Sequence, residues 1–297
     1  MSLFPGFHTF DIATTGTTIH GVTGGAGPPL LLLHGYPQTH ALWHKVAALL
    51  QDRYTIVAAD LRGYGDSGKP ATTPDHAPYS KRAMALDMAE VMTALGHERF
   101  FSCGHDRGGR VAHRLALDHA GRVQRLAVLD IAPTREMYRG TTDAFARAYA
   151  HWFYLIEPAP FPERMIGANP DEYWLKKCGS GAAGLTPFAP AALAEYLRCF
   201  RMPETIHATC EDYRAAASID IRHDDEDDGK KVTCPMLALW GRYGVIQRCF
   251  DARALWRERA VDVIGDALPG GHYLAEELPE RLARRLAGFM KGEIQWA

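Results

Sequence analysis

Nothing in this sequence advertises a charged partner. Lysine and arginine together number 33 against 35 aspartates and glutamates, a formal net charge of −2. That balance argues against nucleic acid or an anionic membrane surface as a partner. Long apolar runs are also missing. The longest, around Leu30 to Leu33, is far short of the roughly 20 residues that cross a bilayer. The first residues, MSLFPGFHTFDIATTG, have no basic segment followed by an apolar run, so no signal peptide is indicated. The six cysteines (Cys103, Cys178, Cys199, Cys210, Cys234, Cys249) include no C-x-x-C pair. Metal-ligand spacing is therefore absent, and a chain of 297 residues does not need a disulfide framework. A cytoplasmic protein without metal or cofactor is expected, its thiols mostly buried or idle.

What is present is a hydrophobic fraction of 47%, enough for a large core, and a regular rhythm. Residues 3–24 alternate loosely and break at Gly16, as two antiparallel strands would. PPLLLLHG (28–35) reads as a buried strand, residues 42–50 as a helix and YTIVAAD (54–60) as a strand. Residues 80–95 place Met84, Met88, Val91, Met92 and Leu95 at helical spacing. RFFSCG (99–104), VAHRLALDH (111–119) and VQRLAVLDIA (123–132) follow as strand, helix and strand. Such alternation predicts an α/β fold with a mostly parallel, doubly wound sheet. The rhythm stops near Pro133 and resumes at CPMLALWG (234–241). Residues 134–228 read as a helical cap inserted after the sixth strand, and 1–133 with 229–297 as the core. The acidic run HDDEDDG (223–229) reads as a solvated exit loop.

GHDRGG (104–109) lies between a predicted strand and a predicted helix. It has the form of a nucleophile elbow, G-x-nucleophile-x-G, with Asp106 in the central place. Both flanking glycines are needed there, because side chains would collide with the neighbouring strand and helix. Alone, G-x-D-x-G is as much an ordinary tight turn as an active site. Three further segments give it context: HGYP (34–37), DLRGYGDS (60–67) and GGHYLAEE (270–277).

With these four motifs in this order, the chain resembles the α/β-hydrolase branch that holds haloalkane dehalogenases, epoxide hydrolases and fluoroacetate dehalogenases. The resemblance runs from about residue 20 to 290. A carboxylate in place of serine displaces a leaving group from an sp³ carbon and becomes the ester carbonyl that water must attack. The resemblance implies His272, after a late strand, as the base for that water. Its orienting acid stands in many relatives in a W-G-x-x-D pattern. Here the segment is WGRYG, with Gly244 in the acid's place, and Asp251 farther along is expected within a helix. Asp130, ending the AVLDIAP strand, is the better candidate to hold the imidazole tautomer, although a strand-end turn former would look the same.

Arg107 and Arg110 fall in the first turn of the helix after Asp106. Cations there lose roughly 0.3–1 kcal/mol each to the helix dipole. They make sense if the substrate brings its own carboxylate, and the fluoroacetate-dehalogenase pattern has both. In HWFYLIEPAP (151–160), His151 and Trp152 replace the Tyr-Gln pair of epoxide hydrolases. The resemblance assigns them, with Tyr213 of CEDYRA, to the departing halide. Without it, both cap residues would pass for ordinary core. The backbone N–H groups of Arg107 and Tyr36 are expected to form the oxyanion hole, and Tyr36 to line the pocket. The implied activity is hydrolysis of small 2-haloacids such as fluoroacetate or chloroacetate, in a homodimer. An epoxide hydrolase is the nearest rival. A ligand-binding homologue without catalysis is the rival of another class, disfavoured by the presence of Asp106, Asp130 and His272 together.

Overall fold

The computed structural model describes residues 2–181 and 183–293. Its centre is one eight-stranded sheet: β1 (His8–Ala13), β2 (Thr18–Gly25), β3 (Pro29–Leu33), β4 (Thr55–Ala59), β5 (Phe100–His105), β6 (Val123–Leu129), β7 (Met236–Gly241) and β8 (Val263–Leu268). Their spatial order is β1-β2-β4-β3-β5-β6-β7-β8. The first two strands pair antiparallel with their neighbours, and every pairing from β4 through β8 is parallel. The sheet is thus mostly parallel, as the strand–helix alternation predicts.

Parallel strands covered on both faces should be apolar at every position, and β3 shows why. Leu31 and Leu33 point into one core, with Met84, Met88, Val111 and Leu115 from the helices Lys81–Ala94 and Arg107–Asp118. Leu30 and Leu32 point into the other, with Val46, Leu50, Leu282 and Leu286 from the helices His44–Leu50 and Pro279–Lys291. None of these four leucines is exposed. At roughly 1.5–3 kcal/mol per fully buried leucine, the sheet centre is the stiffest place from which to project a reactive group.

Between β6 and β7 the chain builds only helices. Its exit corrects one expectation. The acidic run is only in part a solvated loop: the helix Ile219–Glu226 covers its first four residues, and Asp227 is only 5% exposed, while Asp225, Glu226, Asp228 and Gly229 are exposed. Arg82 and Arg114 both donate to Asp227, and Arg135 to Asp225 and Asp228. Arg114, in the helix that follows Asp106, and Arg135, in the helix Thr134–Arg139, are largely buried, and a buried cation needs a counter-charge. Composition shows six polar residues in a row, but not the arginines waiting for them. Among the described residues, no helix is long and apolar enough to cross a membrane.

Candidate active site

Asp106 follows β5 directly, with φ 48° and ψ −114°, and the helix Arg107–Asp118 begins at the next residue. Few non-glycine residues adopt positive φ, and those that do commonly mark a functional constraint. Small neighbours make the turn possible. A methyl group on Gly104 would collide with the Gly108 carbonyl, and one on Gly108 with the His34 carbonyl. A methyl on Gly35 would lie 2.5 Å from Asp106 Cβ. The Gly35–Tyr36 backbone therefore approaches the carboxylate, and the Tyr36 N–H donates to Asp106 Oδ1 at 3.0 Å. His34 secures that loop: its Nδ1–H donates to the Gly35 carbonyl at 3.0 Å, while Nε2 accepts from the Leu61 N–H at 3.0 Å. Burial opposes ionisation of Asp106, yet the fields of His272 first, and of Arg107 and Arg110, outweigh it and hold the carboxyl below the ordinary range. The ionised carboxylate is the favoured form.

His272 sits in the loop between β8 and the short helix Leu274–Glu277. Its Nδ1 lies 2.6 Å from Asp130 Oδ2, and Asp130 Oδ1 accepts from the Gly241 N–H at 2.8 Å. Asp130 is fully buried and takes φ 51°, turning off the end of β6. Gly244 explains the altered acid position. A β-carbon there would lie 3.3 Å from Asp130 Oδ1 and 3.5 Å from Oδ2, so the Asp130 carboxylate fills the space beside that residue. Asp251 stands at the start of the helix Ala252–Arg259 rather than inside one, and caps it by accepting from the Ala254 N–H at 3.0 Å. From the other side, His105 Nε2–H donates to the His272 carbonyl at 2.8 Å. Burial pushes the His105 imidazole down to about 3, so it is a neutral brace for the His272 backbone.

The two arginines are held more tightly than their sequence position suggests. Arg107 is fully buried, and Asp212 takes its fork: Nε donates to Oδ2 at 2.8 Å, and Nη2 to Oδ1 at 2.6 Å. Asp212 also accepts from Lys81 and from the Tyr64 hydroxyl. Only Nη1 of Arg107 has no partner. Arg110 gives Nη1 to the Ala132 carbonyl and Thr134 Oγ1, and Nη2 to Met137 Sδ, leaving Nε alone. Each guanidinium therefore offers one free nitrogen, not a fork. Asp212 escaped the sequence reading, although it directly precedes Tyr213.

The cap closes over these groups with aromatic rings. Arg107 lies 4.3 Å from the Tyr213 ring centroid, and Arg110 lies 4.8 Å from that of Trp152. The His151 imidazole stacks on the Tyr36 ring, interplanar 9°, and meets the Tyr213 ring edge-on. Burial, with Lys177 as the foremost charged neighbour, drives His151 well below its ordinary value, so the ring is neutral. Trp152 Nε1 and the Tyr213 hydroxyl are buried without a partner. Tyr149 was also missed: it is buried, two residues before His151, and meets the His272 ring edge-on with centroids 6.3 Å apart. The two side-chain groups spaced to hold a metal ion, His20–His40–Asp60 and Asp66–Glu195–Cys199, share no residue with this site.

Comparison with known proteins identifies the family. Residues 28–173 match the family model of the α/β-hydrolase fold. The chain is 47% identical to a fluoroacetate dehalogenase of Burkholderia sp over 97% of its own length and 95% of the relative's. It is 34% identical to a soluble epoxide hydrolase of Corynebacterium sp. (strain C12), covering 89% of this chain and 91% of that one. A crystal structure from Nostoc sp PCC 7120, described as an α/β hydrolase, superposes with a TM-score of 0.93 at 57% identity, covering 96% and 98% of the two chains.

Proposed function

The chain belongs to the α/β-hydrolase family, and we propose that within it the protein is a hydrolytic dehalogenase of small 2-haloacids, releasing glycolate and halide from fluoroacetate or chloroacetate. One observation carries this reading beyond the relatives. Four buried donors around Asp106 have no protein partner: Arg107 Nη1, Arg110 Nε, Trp152 Nε1 and the Tyr213 hydroxyl. Left unpaired, each costs about 1–3 kcal/mol. A ligand with anionic character at both ends recovers that cost, and a haloacetate has a carboxylate at one end and a halide-to-be at the other.

In this mechanism the free oxygen of Asp106 attacks the halogen-bearing carbon in line. A C–O bond forms as the C–X bond breaks, and the halide leaves with the electron pair toward His151, Trp152 and Tyr213. Their N–H and O–H groups strengthen as charge develops on the halogen. Arg107 and Arg110 hold the carboxylate, which does not react, and so orient the carbon. His272 then takes a proton from water, and the resulting hydroxide attacks Cγ of the Asp106 ester. The oxyanion forms at the oxygen already bonded to the Tyr36 N–H, with the Arg107 N–H as the second donor. Collapse expels glycolate as its alkoxide, which takes the proton back from His272, while Asp130 steadies the imidazolium; the acid left on Asp106 sheds the second proton of the water to solvent, which restores the carboxylate and accounts for the proton that accompanies the halide.

A single turnover in heavy-oxygen water tests the covalent route. Mass spectrometry of the peptide containing Asp106 is expected to find the label in its side chain; label in glycolate with an unlabelled Asp106 means direct attack by water. Running fluoroacetate, chloroacetate and a neutral epoxide side by side separates this activity from that of an epoxide hydrolase.

The division of labour has its own signature. Arg110→Leu should impair all haloacetates alike, by about 2–5 kcal/mol in kcat/KM, since a charge partner is removed from a buried site. Trp152→Phe keeps the bulk and loses the N–H, so defluorination should fall by about 10²–10³. Dechlorination should fall noticeably less, because chloride leaves more readily and accepts hydrogen bonds weakly. Equal losses for both substrates in Trp152→Phe would reduce Trp152 to a shaping role in the cap.

A further inference from the structure

Two polar groups of the site, His151 and His272, are only partly buried. Asp106 is 4% exposed and Arg107, Trp152 and Tyr213 are 0% exposed, whereas the His272 side chain is 18% exposed. It is exposed into a cavity of about 490 Å³, with Tyr149 beside it and with Arg147, Lys177 and Arg248 among the lining residues. Three cations around one opening are unusual on a chain of net charge −2, whose overall field weakly repels an anion. They are not equivalent. Asp143, four residues earlier on the same helix, holds Arg147 at 2.9 Å. The one acid in the lining, Glu277, accepts from the Gly271 N–H at 2.7 Å and from the Tyr273 N–H at 2.9 Å. Lys177 and Arg248 make no ion pair among the described residues.

We infer that this cavity is the vestibule through which a small carboxylate reaches Asp106, and that Lys177 and Arg248 are positioning residues that draw it in. The inference rests on the haloacid reading above. The two cations come from different places, Lys177 from the last turn of the helix Pro170–Gly179 and Arg248 from the helix Val245–Cys249 after β7. They therefore frame the opening between cap and core. Exposed charges act within a Debye length of about 10 Å at 0.1 M salt. A cleft with low-dielectric walls concentrates their field on the passage. Lys177 is also the foremost charged neighbour of His151. An anion passing Lys177 is handed from a half-buried cation at the opening to the fully buried Arg107 and Arg110.

The test separates binding from chemistry. In an Asp106→Asn background, which cannot be alkylated, fluoroacetate binding is followed by ¹⁹F NMR, with neutral fluoroacetamide as control. Adding Lys177→Glu and Arg248→Glu should raise the fluoroacetate Kd by about fivefold to thirtyfold at low salt. At about 0.5 M salt the difference should shrink to under twofold, and fluoroacetamide should be indifferent throughout. Glutamine at both positions should fall between the parent and the double reversal. An unchanged Kd, or an equal loss for fluoroacetamide, overturns the vestibule; halide release by the wild-type enzyme would still support the dehalogenase reading. Absence of halide release from any haloacetate sinks that reading, while a charge- and salt-dependent Kd would keep the vestibule. A parent variant with no affinity for fluoroacetate overturns the vestibule as well.

Discussion

In His272→Ala, one equivalent of halide per active site is expected, after which turnover stops. The first half-reaction asks nothing of a base. In the wild type, burial opposes the charge on Asp106, but His272 foremost, and arginines 107 and 110 after it, hold the carboxyl below its ordinary range. A depressed pKa preserves the anion as pH falls, so the wild-type first-turnover halide burst should stay flat from neutrality down to about pH 5, above the unperturbed aspartate value of ~3.9. The second half-reaction needs a proton taken from water beside the Asp106 ester. Without the imidazole it should slow by about 10²–10⁴. Rapid-quench halide measurement gives the burst, and intact mass gives the accumulated carboxymethyl ester. Steady turnover by this variant would remove His272 from its assigned role, and a burst that fades below neutral pH would mean that Asp106 is not held ionised.

How much of this could be read beforehand depended on how local each signal is. The sheet was legible because strand burial is written residue by residue: four leucines in β3 alternate between two cores, and Gly35, Gly104 and Gly108 mark the close approaches around Asp106. Asp130 and His272 were singled out by their places after β6 and β8, and the fold sets them 2.6 Å apart. Arg107 shows the limit. Its buried partner Asp212 is 105 residues away, in a helix with Glu204 and Glu211 as alternatives. Helical spacing alone does not select which acid turns inward. The same ambiguity hid the docking of Asp225, Asp227 and Asp228 on buried arginines. Long-range charge pairing leaves no periodicity in sequence.

That Arg107–Asp212 pair also bears on how the substrate is held. With Nε and Nη2 engaged, Arg107 cannot rotate to offer a fork. In the proposed reaction the substrate carboxylate takes one nitrogen from each arginine, bridging Arg107 Nη1 and Arg110 Nε, the two left without a partner among the described residues. A bridging carboxylate is fixed in direction more strictly than one gripped by a single mobile side chain, which is what in-line attack requires. The rigidity of Asp212, itself held by Lys81 and Tyr64, is in this sense part of the nucleophile's aim.

The orienting carboxylate is testable by moving it. Asp130→Asn is expected to slow ester hydrolysis by about 10⁴, the loss that follows removal of the corresponding charge from a serine-protease triad, while halide release in the first turnover persists. Gly244 lies where relatives carry the acid, and its β-carbon position is 3.5 Å from Asp130 Oδ2, the atom that faces His272 Nδ1. The backbone of Gly244, at φ −84° and ψ 175°, is extended and accepts any residue without strain. Asp130, at φ 51°, occupies the left-handed region that glycine adopts freely. Asp130→Gly combined with Gly244→Asp therefore removes one carboxylate, clears its space and delivers another to the same imidazole nitrogen. Recovery of ester hydrolysis by at least about tenfold over Asp130→Gly alone is expected, since general-base catalysis contributes about 10²–10⁴ and the new geometry is imperfect. Stopped-flow decay of the ester reports it directly. A folded double variant no faster than Asp130→Gly would tie the function to the Asp130 position itself. Ester hydrolysis by Asp130→Asn within tenfold of the wild-type rate would remove the carboxylate from the mechanism.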